Sequence, residues 1–295
     1  MRFIRDIHAE KHAESKPCIS FEFFPPKTEA GDKALLEKHI PELMDLKPDY
    51  CSVTYGAGGS TRDKTIGIVE SIQNQHQLTT MMHLTCVNAS RSELEEVVND
   101  AKDRGVKNLL ALRGDPPGGG DFEVAEGGFE FSYQLVEMLK AKGDFSIGTA
   151  GFPEGHIHCT EGKIVDWQRL ANKVKCGADF VITQLFFDNK DYFEFVDHLR
   201  DKHGITVPII PGILPIVSAG LIKRFTEMCG ANLPESLLKE LEARADDDEA
   251  VKEFGIEFAT SQIKELLERG APGVHFYTLN KAHSTAKIMQ NLGLA

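Results

Sequence analysis

The chain of 295 residues is 41% hydrophobic and 26% charged, and its 33 basic and 45 acidic side chains leave a net charge of −12. That balance belongs to a globular protein rather than a disordered or collagen-like one, and a net negative charge argues against a nucleic-acid partner, which needs a basic face. The longest apolar run, residues 207–217, is broken by three prolines and a glycine and is too short to span a bilayer. The N-terminus shows no secretory pattern, so no membrane partner and a cytoplasmic location are expected.

Short β-branched runs then alternate with amphipathic stretches. Residues 18–23 read as a strand stopped by Pro25 and Pro26, and 32–46 as a helix ended by Pro48. Strands follow at 50–54, 80–85 and 108–112, each with a helix behind it, at 62–75, 91–104 and 131–142. Strand 145–150 leads to helix 165–176, strand 180–183 to helix 192–202, and strand 207–210 to helix 219–228. Residues 233–269, acidic and apolar, hold extra helices before the eighth strand at 274–277 and its helix at 282–291. Eight strand–helix pairs without a dividing linker predict one α/β domain over residues 1–295, a (β/α)8 TIM barrel with extra helices before the eighth strand. An open doubly wound sheet is the alternative, but those usually stop at five to seven strands.

Six cysteines are scattered singly, as expected of reduced thiols. His156, His158 and Cys159 crowd four residues, but no second ligand cluster accompanies them and no metal is expected. Residues 56–61 begin like a dinucleotide fingerprint, yet Thr61 stands in place of the third glycine. Residues 116–120, Pro-Pro-Gly-Gly-Gly, read as a mobile loop.

A barrel keeps its chemistry at the C-terminal ends of its strands. Those ends carry Glu22, Thr54 and Tyr55, His83 and Thr85, Arg113-Gly114-Asp115, Thr183-Gln184, and Tyr277 to Asn280. Glu22 alternates with Phe21 and Phe23 and so faces the other side of its strand. An aromatic setting favours the protonated carboxyl and suits a general acid; an ion pair with an interior Arg, or a solvated place at the rim, is the competing reading. Asp115 stands two residues from Arg113 and either pairs with it or meets a ligand, with Gly114 allowing close backbone approach. His83 is either a satisfied core histidine or part of the rim. Asp166 and Lys173, seven apart, share a helix face that is most simply solvated.

Seven segments together resemble the methylenetetrahydrofolate reductase family: Phe21-Glu22-Phe23-Phe24-Pro25-Pro26, Ser52-Val53-Thr54-Tyr55-Gly56-Ala57, His83-Leu84-Thr85-Cys86, Leu112-Arg113-Gly114-Asp115, Thr183-Gln184-Leu185-Phe186-Phe187-Asp188, Pro211-Gly212-Ile213-Leu214-Pro215 and His275-Phe276-Tyr277-Thr278-Leu279-Asn280. They come in family order from residue 18 onward, and the length resembles the short bacterial form, the catalytic barrel alone. The resemblance implies a flavin barrel that reduces methylenetetrahydrofolate to methyltetrahydrofolate with NADH or NADPH through FAD, feeding methionine synthesis. It implies Glu22 as the general acid that opens the methylene bridge, and Asp115 as a carboxylate between flavin and pterin. Thr54, Gln184 and Lys281 become substrate contacts. Tyr55, Ala57, His83, Arg113, Gly114, Asp115, Phe152, His156, Asp166, Asn172 and Lys173 become FAD contacts. Three positions depart from the pattern. Lys281 stands where an Arg often binds folate, Ala219 where an aromatic often stacks, and Phe152 where a Tyr often contacts the flavin.

Two other readings share the architecture: another flavin barrel, such as a proline dehydrogenase-like enzyme, and a barrel that binds folate without catalysis. A flavin-free aldolase needs a lysine at a strand end, and no predicted strand ends in one. Asp246, Asp247 and Asp248 either face water or join an interface of a homo-oligomer.

Overall fold

Alternating side chains build the barrel wall. On β1 (Cys18–Phe23) Ile19, Phe21 and Phe23 point outward into the layer shared with the helices, while Cys18, Ser20 and Glu22 point inward. This is a computed structural model, and it describes residues 1–56, 61–116, 120 and 122–295. An N-terminal helix α1 (Ile4–Ala13) precedes β1, and α2 (Glu29–Ala34) runs through a π-turn at Leu35–His39 into α3 (Ile40–Met44). Then come β2 (Tyr50–Val53), α4 (Arg62–His76), β3 (Thr80–Thr85), α5 (Arg91–Asp103), β4 (Asn108–Leu112), α6 (Ser132–Lys142), β5 (Ser146–Gly151), α7 (Lys163–Lys175), β6 (Phe180–Thr183) and α8 (Asn189–His203). The chain closes with β7 (Ile209–Ile210), β8 (Gly212–Ile213), α9 (Ala219–Cys229), α10 (Glu235–Glu242), α11 (Asp248–Glu268), β9 (Gly273–Tyr277) and α12 (Ala282–Leu292).

The nine strands run parallel in the order β7-β6-β5-β4-β3-β2-β1-β9-β8, a nearly closed TIM-like barrel. The expected seventh strand, 207–210, is shortened to β7, and a further strand not expected from the sequence, β8, follows beyond Pro211. Pro211 has no N–H to give a ladder, so β7 pairs with β6, β8 pairs with β9, and the Pro211 carbonyl accepts from the His275 N–H at 3.0 Å. The expected helix over 32–46 is likewise interrupted. Pro41 leaves one carbonyl of the previous turn without a donor, and the π-turn ahead of it absorbs the misfit.

Helix α1 was not apparent in the sequence, because only Ile4 and Ile7 among its ten residues are large aliphatics. It plugs the N-terminal end of the barrel. Ile4 and Ile7 pack with Tyr50, Met81, Leu110, Phe180 and Ile210 from the strand interiors, and the Ile4 N–H donates to Asn108 Oδ1 at 2.8 Å. The extra helices α10 and α11 bury a satellite cluster of Leu185, Phe187, Ile216, Leu237 and Val251 beside the opposite, open end. Asp246 and Asp248 are exposed, and Asp247 accepts from the Glu249 and Ala250 N–H groups as the N-cap of α11, a local reason for one acid of that run. All six cysteines are free thiols, and no helix among the described residues is long and apolar enough to cross a membrane.

Candidate active site

The inward face of β1 ends in Glu22, which is 5% exposed. Its neighbours are not the phenylalanines, which lie behind the strand, but polar groups from three other strands. Its Oε2 is 3.3 Å from His83 Nε2 on β3, 3.4 Å from His275 Nε2 on β9 and 3.5 Å from Ser52 Oγ on β2. The other nitrogen of His275, Nδ1, lies 2.7 Å from Ser20 Oγ. Among the described residues no arginine reaches the carboxylate, so the interior ion pair with an Arg is replaced by a carboxylate between two imidazoles. Burial lowers the pKa of His83 to about 4, against the opposing pull of Glu22. Its Nε2 is close to the carboxylate but not aligned for a hydrogen bond, and Thr85 Oγ1, one inward position further up β3, also lacks a partner among the described residues. Ser20, Ser52 and His275 were missed as site residues. The signal was present, because His275 alternates with Val274 and Phe276 as Glu22 does with its own neighbours.

A second set of groups gathers at the mouths of β4 and β5 and on α7. Arg113 leaves β4 with its guanidinium 4.8 Å from the centre of the Phe122 ring. Gly114 takes φ +83°, and a Cβ there would lie 2.6 Å from Val87 Cγ1 and 2.8 Å from Thr85 Cβ. Only glycine fits both the conformation and the space. Asp115 is exposed and makes no ion pair with Arg113 among the described residues. Across the mouth, the half-buried His156 stacks edge-on against Phe152 at 4.5 Å, and its N–H donates to Asp166 Oδ2 at 3.2 Å. Burial, with Arg113 and His158 adding to it, lowers the pKa of His156 to about 4. His156 Nδ1 accepts from the His158 N–H at 3.1 Å. Burial raises the pKa of Asp166 and lowers that of Lys173 to about 8, while each charge partly offsets the shift of the other. The Lys173 ammonium donates to the Ala150 carbonyl at the top of β5, at 3.0 Å. Asp166 and Lys173 are thus not a fully solvated pair. Asn172, next to Lys173, is exposed on α7.

The remaining positions lie around the same rim. Thr54 and Tyr55 follow β2 and are half-buried, with burial raising the Tyr55 pKa. Ala57 lies outside the described residues, as does part of the Pro116 to Gly120 loop. Gln184 follows β6, and its Oε1 accepts from the Leu185 N–H at 2.9 Å. Lys281 is exposed at the N-cap of α12, beyond β9.

The chain matches the family model described as methylenetetrahydrofolate reductase over residues 7–293. A probable methylenetetrahydrofolate reductase (NADH) of Oryza sativa subsp. japonica is 42% identical over all of this chain and 51% of its own length. Methylenetetrahydrofolate reductase (NADH) 1 of Arabidopsis thaliana is 41% identical over 95% of this chain and 49% of its own. The 5,10-methylenetetrahydrofolate reductase of Escherichia coli (strain K12) is 38% identical over 94% of this chain and 90% of its own. The chain therefore spans about half the length of the plant relatives and most of the bacterial one. Among solved structures, an uncharacterized protein from Clostridium thermocellum that binds two copies of 5-methyl-5,6,7,8-tetrahydrofolic acid aligns with a TM-score of 0.64 at 17% identity, over 96% of both chains. At that identity the likeness speaks for the fold alone.

Proposed function

The chain belongs to the methylenetetrahydrofolate reductase family, and on that premise we propose that it reduces 5,10-methylenetetrahydrofolate to 5-methyltetrahydrofolate with NADH or NADPH, through FAD, in two alternating half-reactions that feed methionine synthesis. The observation that carries the reading is Glu22, a carboxyl sunk beneath an open rim and flanked by two imidazoles and a serine. A bound flavin would supply hydride storage between the nucleotide and the folate. The residues suit such a group. Gly114 keeps the mouth free of a further side chain by packing directly on Thr85 and Val87, Thr85 Oγ1 has no partner among the described residues, and Arg113 and Lys173 offer cations for a diphosphate. Tyr55, Ala57, His83, Phe152, His156, Asp166 and Asn172 complete the cofactor side of this proposal, and Thr54, Gln184 and Lys281 the substrate side.

In this mechanism Glu22 protonates the folate nitrogen that departs as the methylene bridge opens, with the two imidazoles and Ser52 as its polar neighbours at 3.3 to 3.5 Å. His83, with its pKa near 4, is neutral at pH 7 and does not compete as the donor. Asp115, exposed at the mouth, orients the pterin, and Gln184 contacts the substrates once its amide leaves the Leu185 N–H. The plant relatives are named as NADH enzymes, which favours NADH here. A cytoplasmic location and association into a homo-oligomer belong to the same proposal.

The test begins with colour: purified protein should be yellow. Anaerobic mixing should show NADH or NADPH bleaching the flavin and methylenetetrahydrofolate restoring it. Bleaching of the flavin by proline, or folate binding without turnover, would sink the reading.

A further inference from the structure

The ladder between β1 and β9 ends at Glu22 opposite Tyr277. Past that point the backbone of β1 has little left to pair with. Phe24 carries the last N–H before Pro25 and Pro26, and the chain beyond β9 turns away through Leu279 at φ +51° and Asn280 at φ +58°. Two consecutive non-glycine residues in the left-handed region are uncommon, and a structure that keeps them over-determines them by other contacts. Here three of those contacts run to β1. Thr278 Oγ1 donates to the Glu22 carbonyl at 2.7 Å, Asn280 Oδ1 accepts from the Phe24 N–H at 2.9 Å, and Asn280 Nδ2 donates to the Phe24 carbonyl at 2.8 Å. The Asn280 N–H in turn donates to Thr278 Oγ1 at 3.2 Å.

The side chain of Asn280 thus does what a strand residue would do, pairing with both backbone groups of one partner. On the far side of β1 the Thr54 N–H donates to the Phe23 carbonyl at 2.9 Å, so the segment 22–24 is held from both flanks. The Glu22 carboxylate itself is held loosely, since its three contacts are 3.3 to 3.5 Å long. Its position is set more by its backbone than by its own side-chain bonds.

We propose that Asn280, with Thr278, is a positioning residue for Glu22: its amide extends the β1–β9 ladder by side chain and fixes the acid beneath the rim. The proposal rests on the reading of Glu22 as proton donor. Asn280→Gly is the informative variant, because glycine accepts the left-handed backbone and loses only the amide. Hydrogen exchange at the Phe24 amide should accelerate while the rest of the barrel keeps its protection. In the holoenzyme, flavin reduction by NADH should keep its rate. Reoxidation by methylenetetrahydrofolate should slow by about 10- to 100-fold, the scale expected of a misplaced reacting group. Its pH profile should move as well. Thr278→Val, a second variant that leaves the turn residues intact, should repeat the pattern more weakly.

Unchanged Phe24 exchange, or equal slowing of both half-reactions in both variants, overturns the positioning role. Glu22→Gln, run alongside, separates the two ideas. If it abolishes folate reduction while Asn280→Gly and Thr278→Val do not impair it, the clamp is wrong and the acid stands. If Glu22→Gln reduces folate normally, the acid assignment fails and the positioning role falls with it.

Discussion

The two sides of the rim are built on opposite plans. Around Glu22 the chain supplies its own partners: imidazoles from β3 and β9, a serine from β2, and backbone clamps from the turn after β9. Around β4, β5 and α7 it does so only in part, with the His156 N–H on Asp166. Asp115 is exposed, Arg113 rests on an aromatic ring, and Lys173 meets a single carbonyl. The first arrangement is assembled before anything binds, as a group must be if it is to deliver a proton without reorganising. The second leaves its charges for something larger to organise. The difference divides the labour proposed for the rim, with chemistry on one side and retention on the other.

Removing the proton from the first side should give the largest effect. Glu22→Gln keeps size and hydrogen bonding but cannot donate, so NADH should still bleach the flavin while methylenetetrahydrofolate restores it about 100-fold more slowly or worse, the lower end of general acid catalysis. Two stopped-flow traces on one preparation make the comparison. A variant that reoxidises at the normal rate would transfer the acid role to Asp115 or to a bound water.

Acid should also distinguish the sides. His83 has its pKa lowered by burial from the usual 6.5 to about 4, so the unfolded chain takes up this proton first. Its contribution to stability is complete above pH 6.5, fades as pH falls toward 4 and is gone below that. The span corresponds to roughly 3 kcal/mol, an order-of-magnitude figure. His156 shifts the same way but lies half-exposed at the mouth, where solvent reduces the effect. Denaturant titrations from pH 7 to 4 should therefore flatten markedly in His83→Asn and only slightly in His156→Asn. Equal flattening would mean that the two sides are equally closed to water.

On the second side, Lys173→Ala should weaken flavin retention about tenfold, as expected for one charge-assisted hydrogen bond to a phosphate. Flavin released on dilution, followed by its fluorescence, is the measurement. Retention equal to wild type would confine Lys173 to bonding the Ala150 carbonyl.

This division was only partly legible in the sequence. The alternation of Phe21, Glu22 and Phe23 was enough to set the carboxyl on the face opposite the two rings, and the eight strand–helix pairs were enough for the barrel, because period-two and helical patterns are local properties. The company Glu22 keeps was not local. His83 and His275 lie 61 and 253 residues from it in sequence, and only the ring order of the strands brings them to one carboxylate. Asp166 and Lys173 looked like a solvated helix face, because sequence spacing does not reveal that this face of α7 covers the end of β5. Helix α1 was hidden for a related reason. A plug seated by two isoleucines lacks the long apolar stripe that marks a helix lying along a sheet.

Lys281 offers the smallest and finest test of the comparison. It sits directly after the Asn280 clamp, so its backbone belongs to the assembled side, yet its ammonium is exposed like the charges of the other side. If it meets a carboxylate of the folate tail, that contact is solvated, and exposed ion pairs contribute little. Lys281→Ala should then raise the folate KM only about two- to fivefold, with flavin reduction by NADH untouched. Lys281→Arg should lower the KM below wild type, because a planar fork can make two parallel bonds to a carboxylate where an ammonium acts as a point charge. The two variants must move in opposite directions. If both raise the KM and also slow flavin reduction, the residue serves the turn after β9 rather than the ligand, and Lys281 belongs wholly to the assembled side.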